Sequence, residues 1–580
     1  MIKRNNGKKR QTRIIFVEIL IFIILGCLCA RSIELQVFKS SSLSLKAEKE
    51  YTRSSCIQGK RGQIYDRNMD ELCTSITTLS IAANAKKIKN PGKIASKLAH
   101  ILGVNKYELK KRLSSDKNFV WVQRRVTPKK IKQVKALKFS HIFFKKDTRR
   151  YYPNKGLAGQ ILGFTGIDNQ GLEGLEYRYN KILSGQNIKI QTINDATGKL
   201  IDSKEAFSNK YSGNSIVLTI DKKIQFIAEH ALENAVVKED AKSGTALVMV
   251  PQTGELLAIA HYPKFNPNHY KSFSSEIWKD RAVTDQFEPG SVMKIFAAAT
   301  ALDKGVCSTK SIFYCENGSY KIGSYTINDS HPYGWLTLTQ IIKFSSNIGA
   351  TKISEIISKK ILYDSLNNFG FGQKTQIDCP GEVSGELRKY TSWSDIDSGA
   401  IAFGQGIAVS GIQLITGVSA IANNGILMKP LLVKKIISNT GTIIKLNAPT
   451  PVRRVISSAT ARKIKKIMQE VVSKNGTGRN AIIQGYSVCG KTGTAQIANK
   501  KSKGYSKDKF TAVFTGFAPA QNPELAVLVV IDEPKKDHYG GTVSAPVFKN
   551  IMVEAFNYLG TPPDFNNSQM LAELSKGVVQ

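Results

Sequence analysis

Phe287-Glu288-Pro289-Gly290-Ser291-Val292-Met293-Lys294 leads into an apolar run that ends at Leu302. Between Val292 and Leu302, Lys294 is the only charged residue and Thr300 the only other polar one. Such a run is longer than a typical strand and apolar nearly all round, which predicts a buried helix. The Pro-Gly pair interrupts the chain just before it, and Asp303-Lys304-Gly305 is typical of a helix end.

Ser291 is predicted in the first turn of this helix, where free N–H groups and the positive end of the helix dipole stabilise negative charge. Lys294 lies one turn later on the same face, and burial lowers the pKa of a lysine so that it can accept a proton. These residues are candidates for a nucleophile and its base. The alternative is a serine that caps the helix and a lysine that reaches solvent. The same spacing occurs at Ser114–Lys117 and Ser506–Lys509, in polar stretches that predict exposed surface.

A second motif is Ser345-Ser346-Asn347, which follows the amphipathic segment Thr337–Phe344. A hydroxyl and an amide two residues apart can point into one cleft, relay a proton and hold a substrate amide. The alternative is a cap or a turn, because Ser-x-Asn also occurs elsewhere, for example at Ser473.

A third motif, Lys491-Thr492-Gly493-Thr494, lies in a strand-like segment. A lysine and hydroxyl groups on one strand face can bind a carboxylate, and the glycine lets a substrate backbone approach closely. An extended peptide can pair with such a strand. A tetrad of the same type occurs at Lys242-Ser243-Gly244-Thr245, so this motif alone does not identify a site.

The segment Gly485–Thr492 also fits the phosphate-binding pattern Gly-x4-Gly-Lys-Thr. A phosphate loop requires a helix that begins at its Lys-Thr pair, so that N–H groups surround the phosphates. The residues after Lys491 instead predict a strand followed by a lysine-rich loop. An NTPase is therefore the weaker interpretation.

The 580 residues are too many for one core, and their composition is ordinary for a globular protein. A formal net charge of +38 arises from 83 basic and 45 acidic residues spread along the chain. No zinc-finger or RNA-binding signature accompanies the basic clusters, so we expect no nucleic-acid partner. The charge predicts either attraction to an anionic surface or solvated lysines, and the second interpretation is favoured.

The amino terminus predicts a membrane anchor. Residues 2–13 are rich in lysine and arginine, and Ile14–Ala30 is apolar except for Glu18. This pattern predicts one span with the amino terminus in the cytoplasm and the rest of the chain outside. A cleaved signal peptide and lipidation at Cys27 are alternatives, but the apolar run continues past Cys27 and favours an uncleaved anchor.

Neither the eight cysteines nor the seven histidines have the spacing of a metal site or of a disulfide scaffold. Cys307 and Cys315 are close enough in sequence to pair in an oxidising compartment. Two small core residues are the favoured interpretation. We therefore expect no metal.

The order of predicted elements favours an α+β fold. After residue 214, strands are predicted at 216–220, 244–250, 255–260, 487–498, 511–517 and 525–531. A helix is predicted at 222–236, and helices dominate 291–425. Strands from both ends of a region with helices between them form a layered α+β architecture.

Before residue 215, three short amphipathic helices are predicted, at 94–102, 107–113 and 128–137. Further along, Glu173 and Glu176 are expected to be exposed carboxylates on a turn. The alternative is a buried ion pair with an arginine such as Arg178.

Taken in order, Ser291-x-x-Lys294, Ser345-x-Asn347 and Lys491-Thr492-Gly493 resemble the three-part signature of penicillin-binding proteins and serine β-lactamases. The basic tail, the single span and the elements Arg61–Asn68 and Gly166–Glu176 are similar to the anchor and pedestal of class B penicillin-binding proteins. Met69 stands where that family usually has glycine.

Other segments refine the resemblance. No glycosyltransferase domain fits into residues 32–215, which argues against class A. Thr284–Ser291 and Tyr539–Phe548 resemble the division-type (septal) transpeptidase more than the elongation type, which remains the alternative.

The resemblance implies an anchored, two-domain α+β protein whose catalytic domain has an antiparallel sheet sandwiched by helices and an all-helical subdomain. The implied parts are a cytoplasmic tail (1–13), a transmembrane anchor (14–31), a dimerisation-like pedestal (32–214), a transpeptidase domain (215–560) and a flexible carboxy-terminal tail (561–580).

The resemblance also implies a serine D,D-transpeptidase that cross-links the stem peptides of peptidoglycan. Ser291 would attack the penultimate D-Ala carbonyl, and Lys294 would take its proton. Ser345 would pass a proton to the leaving amine, tuned by Lys491. Asn347 would hold Lys294 and the substrate amide.

The backbone N–H groups of Ser291 and Thr494 would form the oxyanion hole, and Thr492, Gly493 and Thr494 would bind the substrate. β-Lactams would trap Ser291, and no cofactor is implied. Implied partners are the membrane, a membrane-embedded SEDS-type glycosyltransferase and other divisome proteins. The alternatives are a β-lactam sensor, a divisome scaffold with an inactive site, and a hydrolytic carboxypeptidase or β-lactamase. The large pedestal argues against a β-lactamase.

Overall fold

The computed structural model describes residues 6–193, 211–498 and 504–564. The chain divides into two compact units, residues 1–60 with 185–212 and residues 61–184 with 213–580. Most of the predicted tail at 561–580 lies outside the described residues.

The described residues up to 193 form eight α-helices and six strands, besides a π-helical turn at Glu34–Phe38 and a 3-10 turn at Ala85–Lys87. The helices are α1 (Asn6–Ile33), α2 (Ser40–Tyr51), α3 (Pro91–Leu102), α4 (Lys106–Leu113), α5 (Pro128–Ala136), α6 (Gly159–Leu162), α7 (Gly174–Arg178) and α8 (Asn180–Leu183). The strands are β1 (Thr52–Gln58), β2 (Ile64–Tyr65), β3 (Glu71–Ala83), β4 (Val120–Val126), β5 (Ile142–Tyr151) and β6 (Asn187–Ile193).

The described elements after residue 210 continue in chain order. The helices are α9 (Lys222–Lys238), α10 (Ser275–Trp278), α11 (Arg281–Thr284), α12 (Lys294–Asp303), α13 (Leu338–Phe344), α14 (Asn347–Glu355), α15 (Lys359–Asn368), α16 (Asp395–Ala402), α17 (Gly411–Ala422), α18 (Ser458–Val471), α19 (Gly540–Val543) and α20 (Ala545–Leu559). The strands are β7 (Ser215–Leu218), β8 (Ser243–Met249), β9 (Leu256–Tyr262), β10 (Ile312–Tyr314), β11 (Ser319–Ile322), β12 (Tyr325–Asn328), β13 (Trp335–Thr337), β14 (Ile426–Met428), β15 (Val433–Ile437), β16 (Ile443–Leu446), β17 (Pro451–Arg454), β18 (Cys489–Ala498), β19 (Tyr505–Ala518) and β20 (Leu525–Asp532).

The first unit begins with α1, whose apolar side chains are exposed. Within the described residues, the helical stretch Lys8–Phe38 is the one that is long and apolar enough to cross a membrane. It fits the predicted single anchor. In the same unit β1 pairs antiparallel with β6, from Thr52 opposite Ile193 to Gln58 opposite Asn187.

The second unit contains a seven-stranded sheet in the order β16-β15-β7-β2-β3-β4, with β5 also paired to β3. Among the described strand pairs of this sheet, only β2 and β7 run parallel. Buried apolar side chains of α3, α4 and α5 pack with those of β3 and β4 in a separate small core. These are the three helices that the sequence predicts.

The sequence predicts an exposed carboxylate on a turn at Glu176. This prediction is wrong, because Glu176 is fully buried. Its two carboxylate oxygens accept from Arg61 Nε and Arg150 Nε, and its backbone oxygen accepts from Arg61 Nη2 at 2.7 Å. Burial alone would raise the pKa of Glu176, but the charges of Arg150 and Arg61 outweigh it and hold the pKa below its usual range.

The turn at Met69 keeps the backbone shape that glycine would favour, with φ of +69°. Asp66 holds this turn, since its Oδ1 accepts from the N–H groups of Asn68 and Asp70, both at 2.8 Å. The hydrogen bonds that Asp66 accepts therefore offset the conformational cost of a methionine with a positive φ angle.

A second sheet, five-stranded and fully antiparallel, has the order β18-β19-β20-β8-β9. Alternate residues of each strand face opposite sides. On β20, Val527, Val529 and Ile531 join the core formed with α9 and α20, whereas Leu528 and Val530 join the larger core formed with the central helices. The predicted sheet between helical layers is confirmed.

Between β9 and β18 the described chain is mainly helical but not wholly so. It also carries the two-stranded sheets β10–β13, β11–β12 and β14–β17, which the expectation of an all-helical subdomain did not include. These strands have only three or four residues each, too few for a clear sequence pattern. Cys307 and Cys315 are free thiols. The sequence favours two unpaired cysteines over a disulfide at these positions, and the structure agrees.

We predict that Glu176→Gln lowers the free energy of unfolding by about 3–5 kcal/mol, because two buried guanidinium groups lose their shared counter-charge. Chemical denaturation of the detergent-solubilised full-length chain measures this loss. Since the folded pKa of Glu176 is lowered, its stabilisation is present at neutral pH and disappears as pH falls through that pKa.

Asp364→Asn is the matched control, because Asp364 forms an exposed pair with Lys360 at 2.6 Å. We expect it to cost no more than about 0.5 kcal/mol. Equal losses in the two variants would contradict the assignment of Glu176 as a buried structural charge.

Candidate active site

Ser291 lies where a tight turn becomes the core helix. Gly290 has φ of +56° and begins a 3-10 turn, Gly290–Met293, that continues directly into α12. A Cβ atom at Gly290 would lie 2.9 Å from the carbonyl oxygen of Thr494, so both its backbone conformation and its surroundings require glycine. Ser291 remains half-buried, whereas every residue from Lys294 to Leu302 is buried. The predicted buried helix is confirmed.

The amine of Lys294 has no exposure to solvent and meets four oxygens. Its Nζ lies 3.0 Å from Ser291 Oγ, 2.5 Å from the carbonyl oxygen of Ser345, 3.2 Å from Ser345 Oγ and 2.8 Å from Asn347 Oδ1. The carbonyl and amide oxygens only accept hydrogen bonds. A neutral amine therefore uses its two N–H groups on them and keeps its lone pair for a hydroxyl hydrogen.

Burial lowers the pKa of Lys294 to about 7, although the negative charge of Asp329 acts in the opposite direction. Burial also lowers the pKa of Lys491 well below its ordinary value, and the charge of Lys294 adds to that effect. Two buried amines that share one hydroxyl group thus disfavour being charged together. A lysine that can act as a base at neutral pH follows from this arrangement.

Ser345 and Asn347 reach Lys294 from a turn between two helices. Ser345 ends α13 in the left-handed conformation, with φ of +62°. Ser346 caps the next helix, α14, through a hydrogen bond that its Oγ accepts from Gly349 N at 2.9 Å. The sharp turn directs the Ser345 hydroxyl, the Ser345 carbonyl and the Asn347 amide toward one amine.

Lys491 approaches the same hydroxyl from the edge of the five-stranded sheet. Its buried Nζ lies 3.0 Å from Ser345 Oγ and 3.0 Å from the carbonyl oxygen of Thr492. Thr492 Oγ1 donates to Thr477 Oγ1 at 3.1 Å, and Thr494 Oγ1 accepts from Gly540 N at 3.1 Å.

The strand β18 packs directly on the turn that carries Ser291. A Cβ atom at Gly493 would lie 2.6 Å from the carbonyl oxygen of Pro289, and one at Gly290 would lie 3.3 Å from Thr494 N. The two backbone N–H groups predicted for an oxyanion hole, those of Ser291 and Thr494, therefore belong to segments in contact.

The structure thus brings all the predicted site residues together. Ser291, Lys294, Ser345, Asn347 and Lys491 form one hydrogen-bonded network, and the predicted binding residues continue along β18.

The competing motifs do not have this geometry. Lys491 and Thr492 lie inside a strand, so no helix begins there to hold phosphates. Ser114 and Lys117 are exposed, and the hydroxyl of Ser114 donates to the carbonyl oxygen of Lys110. Within the described ranges, no cluster of three or more His, Cys, Asp or Glu side chains has the arrangement of a metal site.

Two contacts of the site were not predicted. Gly404, with φ of +88°, lies so close to the turn that an added Cβ would be 2.0 Å from the carbonyl oxygen of Gly290. Asp329 accepts hydrogen bonds from the Ser346–Asn347 turn. Gly404 and Gly406 are close together in sequence, and such a glycine pair could have predicted a tight loop. Asp329 lies in an irregular segment after β12, where no sequence pattern predicts its contact with the site.

Comparison with known proteins shows similarity to penicillin-binding proteins along nearly the whole chain. The family profile described as "Penicillin binding protein transpeptidase domain" matches residues 244–553, and "Penicillin-binding Protein dimerisation domain" matches residues 56–218. The probable peptidoglycan D,D-transpeptidase PenA of Neisseria gonorrhoeae is 34% identical over 571 residues, which cover 97% of this chain and 96% of PenA. The peptidoglycan D,D-transpeptidase FtsI of Escherichia coli is 31% identical over 577 residues, which cover 97% and 95% of the two chains.

Solved structures agree in fold. Penicillin-binding protein 3 of Mycobacterium tuberculosis, in complex with aztreonam, is 26% identical with a TM-score of 0.70, covering 88% of this chain and 98% of that one. A peptidoglycan synthetase from Bifidobacterium adolescentis is 25% identical with a TM-score of 0.69, covering 89% and 98%. Both domains and nearly the whole length match, and the chain therefore belongs to the class B penicillin-binding proteins, as a peptidoglycan D,D-transpeptidase of that type.

Proposed function

We propose that the chain cross-links peptidoglycan through an acyl-enzyme on Ser291. The observation that carries this proposal is the position of Lys294 Nζ, within 3.2 Å of the hydroxyl groups of both Ser291 and Ser345. One buried amine can then serve the nucleophile and the proton relay. Binding of peptidoglycan and of β-lactams follows from the family.

In the acylation step, Ser291 Oγ forms a bond to the carbonyl carbon of the penultimate D-Ala, and its proton passes to Lys294 Nζ. The amide bond to the terminal D-Ala breaks, and the leaving nitrogen takes a proton through Ser345 Oγ, which Lys294 and Lys491 both contact. Backbone N–H groups of Ser291 and Thr494 stabilise the oxyanion. A general base of this kind contributes about 10²- to 10⁴-fold in rate.

In the second step, the amine of another stem peptide attacks the ester carbonyl and loses a proton to the Lys294–Ser345 network. A new amide forms as the ester bond between the carbonyl carbon and Ser291 Oγ breaks, and Ser291 Oγ takes a proton back from Lys294. Water in place of that amine would release the acyl group as a free acid, which is the carboxypeptidase side reaction. The ratio of transfer to hydrolysis depends on how well the acceptor peptide excludes water from the ester.

The donor peptide is proposed to bind along β18, which is an edge strand of its sheet. An extended peptide adds to such an edge through backbone hydrogen bonds. The hydroxyl groups of Thr492 and Thr494 would hold its terminal carboxylate, while Gly493 leaves room for the backbone.

A membrane orientation and a cellular role complete the proposal. The basic residues before Ile14 support a cytoplasmic tail (1–13) and an anchor (14–31), with the pedestal (32–214) and transpeptidase domain (215–560) outside. The septal role rests on the sequence of Thr284–Ser291 and Tyr539–Phe548. Partners would be a SEDS-type glycosyltransferase and other divisome proteins.

We expect a fluorescent penicillin to label the full-length chain in membranes and Ser291→Ala to lose all label, because only Ser291 supplies the attacking oxygen. Gel fluorescence measures this. Ser114→Ala is the matched control, since it alters an exposed serine with the same Ser-x-x-Lys spacing. Label that persists in Ser291→Ala would reject the site.

The rate of labelling should rise as pH increases through about 7, because Lys294 must lose its proton before it can accept that of Ser291. Lys294→Arg should lower the rate at least about 10²-fold at every pH, since a guanidinium stays protonated. A pH-independent rate through the neutral range would argue against Lys294 as the base.

Depletion of the protein in its own cells should give long filaments without septa, as expected for loss of a septal cross-linking enzyme. Microscopy of a strain with a repressible copy of the gene, with the Ser114→Ala chain as a complementing control, measures this. Rounded cells would indicate the elongation-type alternative.

A further inference from the structure

The carboxylate of Asp329 makes direct hydrogen bonds to the turn that carries Ser345 and Asn347. It follows directly after β12, in a loop outside the three motifs. Its Oδ2 accepts from Ser346 Oγ at 2.5 Å, and its Oδ1 accepts from the backbone N–H groups of Asn347 and Ile348, the second at 3.1 Å. Both oxygens thus hold the residues that directly follow Ser345.

These bonds matter because the turn is strained. Ser345 is a left-handed serine, which the surrounding contacts must keep in place. Its carbonyl oxygen and the Asn347 amide face Lys294 Nζ at 2.5 Å and 2.8 Å. Without the anchor at Asp329, two free N–H groups and one hydroxyl group at the start of α14 would need other partners.

The residue before Asp329 fixes the orientation of the amide itself. Asn347 Nδ2 donates to the carbonyl oxygen of Asn328 at 2.9 Å, so Oδ1 is the end that faces Lys294. The segment Asn328–Asp329 therefore positions both the backbone and the side chain of Asn347.

Asp329 also supplies charge. Two titratable groups act on the site of Lys294 within the described part of the chain: Lys491 of β18, which shares the hydroxyl of Ser345, and Asp329, whose negative charge raises the pKa of Lys294. Asp329 favours a proton on Lys294, whereas burial disfavours it. The charge of Lys294 in turn lowers the pKa of Lys491. The balance of burial against the charge of Asp329 sets how readily Lys294 takes the proton of Ser291 and gives it up again.

We propose that Asp329 is a positioning residue for acyl transfer, whose carboxylate holds the Ser345–Asn347 turn against Lys294 and whose negative charge acts on this amine. The proposal rests on the acyl-serine function proposed above. It assigns a fourth segment to the site, beyond the three motifs.

The test compares Asp329→Asn with wild type in the full-length, membrane-embedded chain. The measured quantity is the second-order rate constant of labelling by fluorescent penicillin as a function of pH. We expect a fall of about tenfold, equivalent to about 1.4 kcal/mol, since an amide in place of the carboxylate puts an N–H donor where Oδ2 accepts from Ser346 Oγ and removes the negative charge. We also expect the acid limb of the profile to move to lower pH, because removal of a negative charge lowers the pKa of Lys294.

Three further variants separate position from charge. Ser346→Ala and Asp329→Glu keep the charge but alter the contacts, so each should lower the rate and leave the acid limb in its wild-type place. Asp303→Asn is the matched control, because Asp303 is also a half-buried carboxylate that accepts from a helix cap, Ser457 N, at 2.8 Å. It should change neither quantity.

A lower rate in Asp329→Asn with an unmoved acid limb would overturn the proposal in favour of a purely structural role, and so would an unchanged rate. If melting shows that Asp329→Asn does not fold, Asp329→Glu decides, and a wild-type rate there overturns the proposal. Failure of wild type to label at Ser291 would instead reject the proposed function itself.

Discussion

The site depends on one buried amine. Lys294 has no exposure to solvent, and its Nζ is surrounded by oxygens from Ser291, Ser345 and Asn347. Burial makes the ammonium form costly, and the carbonyl and amide oxygens provide partners for a neutral amine. The same contacts that allow the lysine to be buried also place its lone pair between two hydroxyl groups. Removal of these oxygens would leave an unpaired polar group inside the core.

The scaffold serves to hold three segments around that amine. The core helix α12 fixes Lys294, the left-handed turn at Ser345 comes from a helix junction, and Lys491 comes from the edge strand β18. Gly290, Gly404 and Gly493 let the turn before α12 approach both β18 and the loop at Gly404 more closely than any side chain would permit. Because the helices and the sheet share one core, the distances in the site are set by packing far from it.

Much of this could be predicted from the sequence, because the deciding patterns are local. The apolar run after Ser291 predicts α12, and the order of the three motifs predicts the candidate site residues that the structure brings together. The burial of Glu176 could not be predicted, because its partners Arg61 and Arg150 lie 115 and 26 residues away. Asp329 was missed for the same reason, since it lies in a loop and acts on a turn 17 residues later.

The most direct measurement is the mass of the tryptic peptides after the full-length chain reacts with benzylpenicillin. Trypsin cuts after Arg281 and Lys294, and the resulting peptide Ala282–Lys294 contains one serine, Ser291. If Ser291 is the nucleophile that Lys294 activates, the penicilloyl adduct lies on this peptide, and fragmentation assigns it to Ser291. An adduct on any other peptide, or none, would contradict the account.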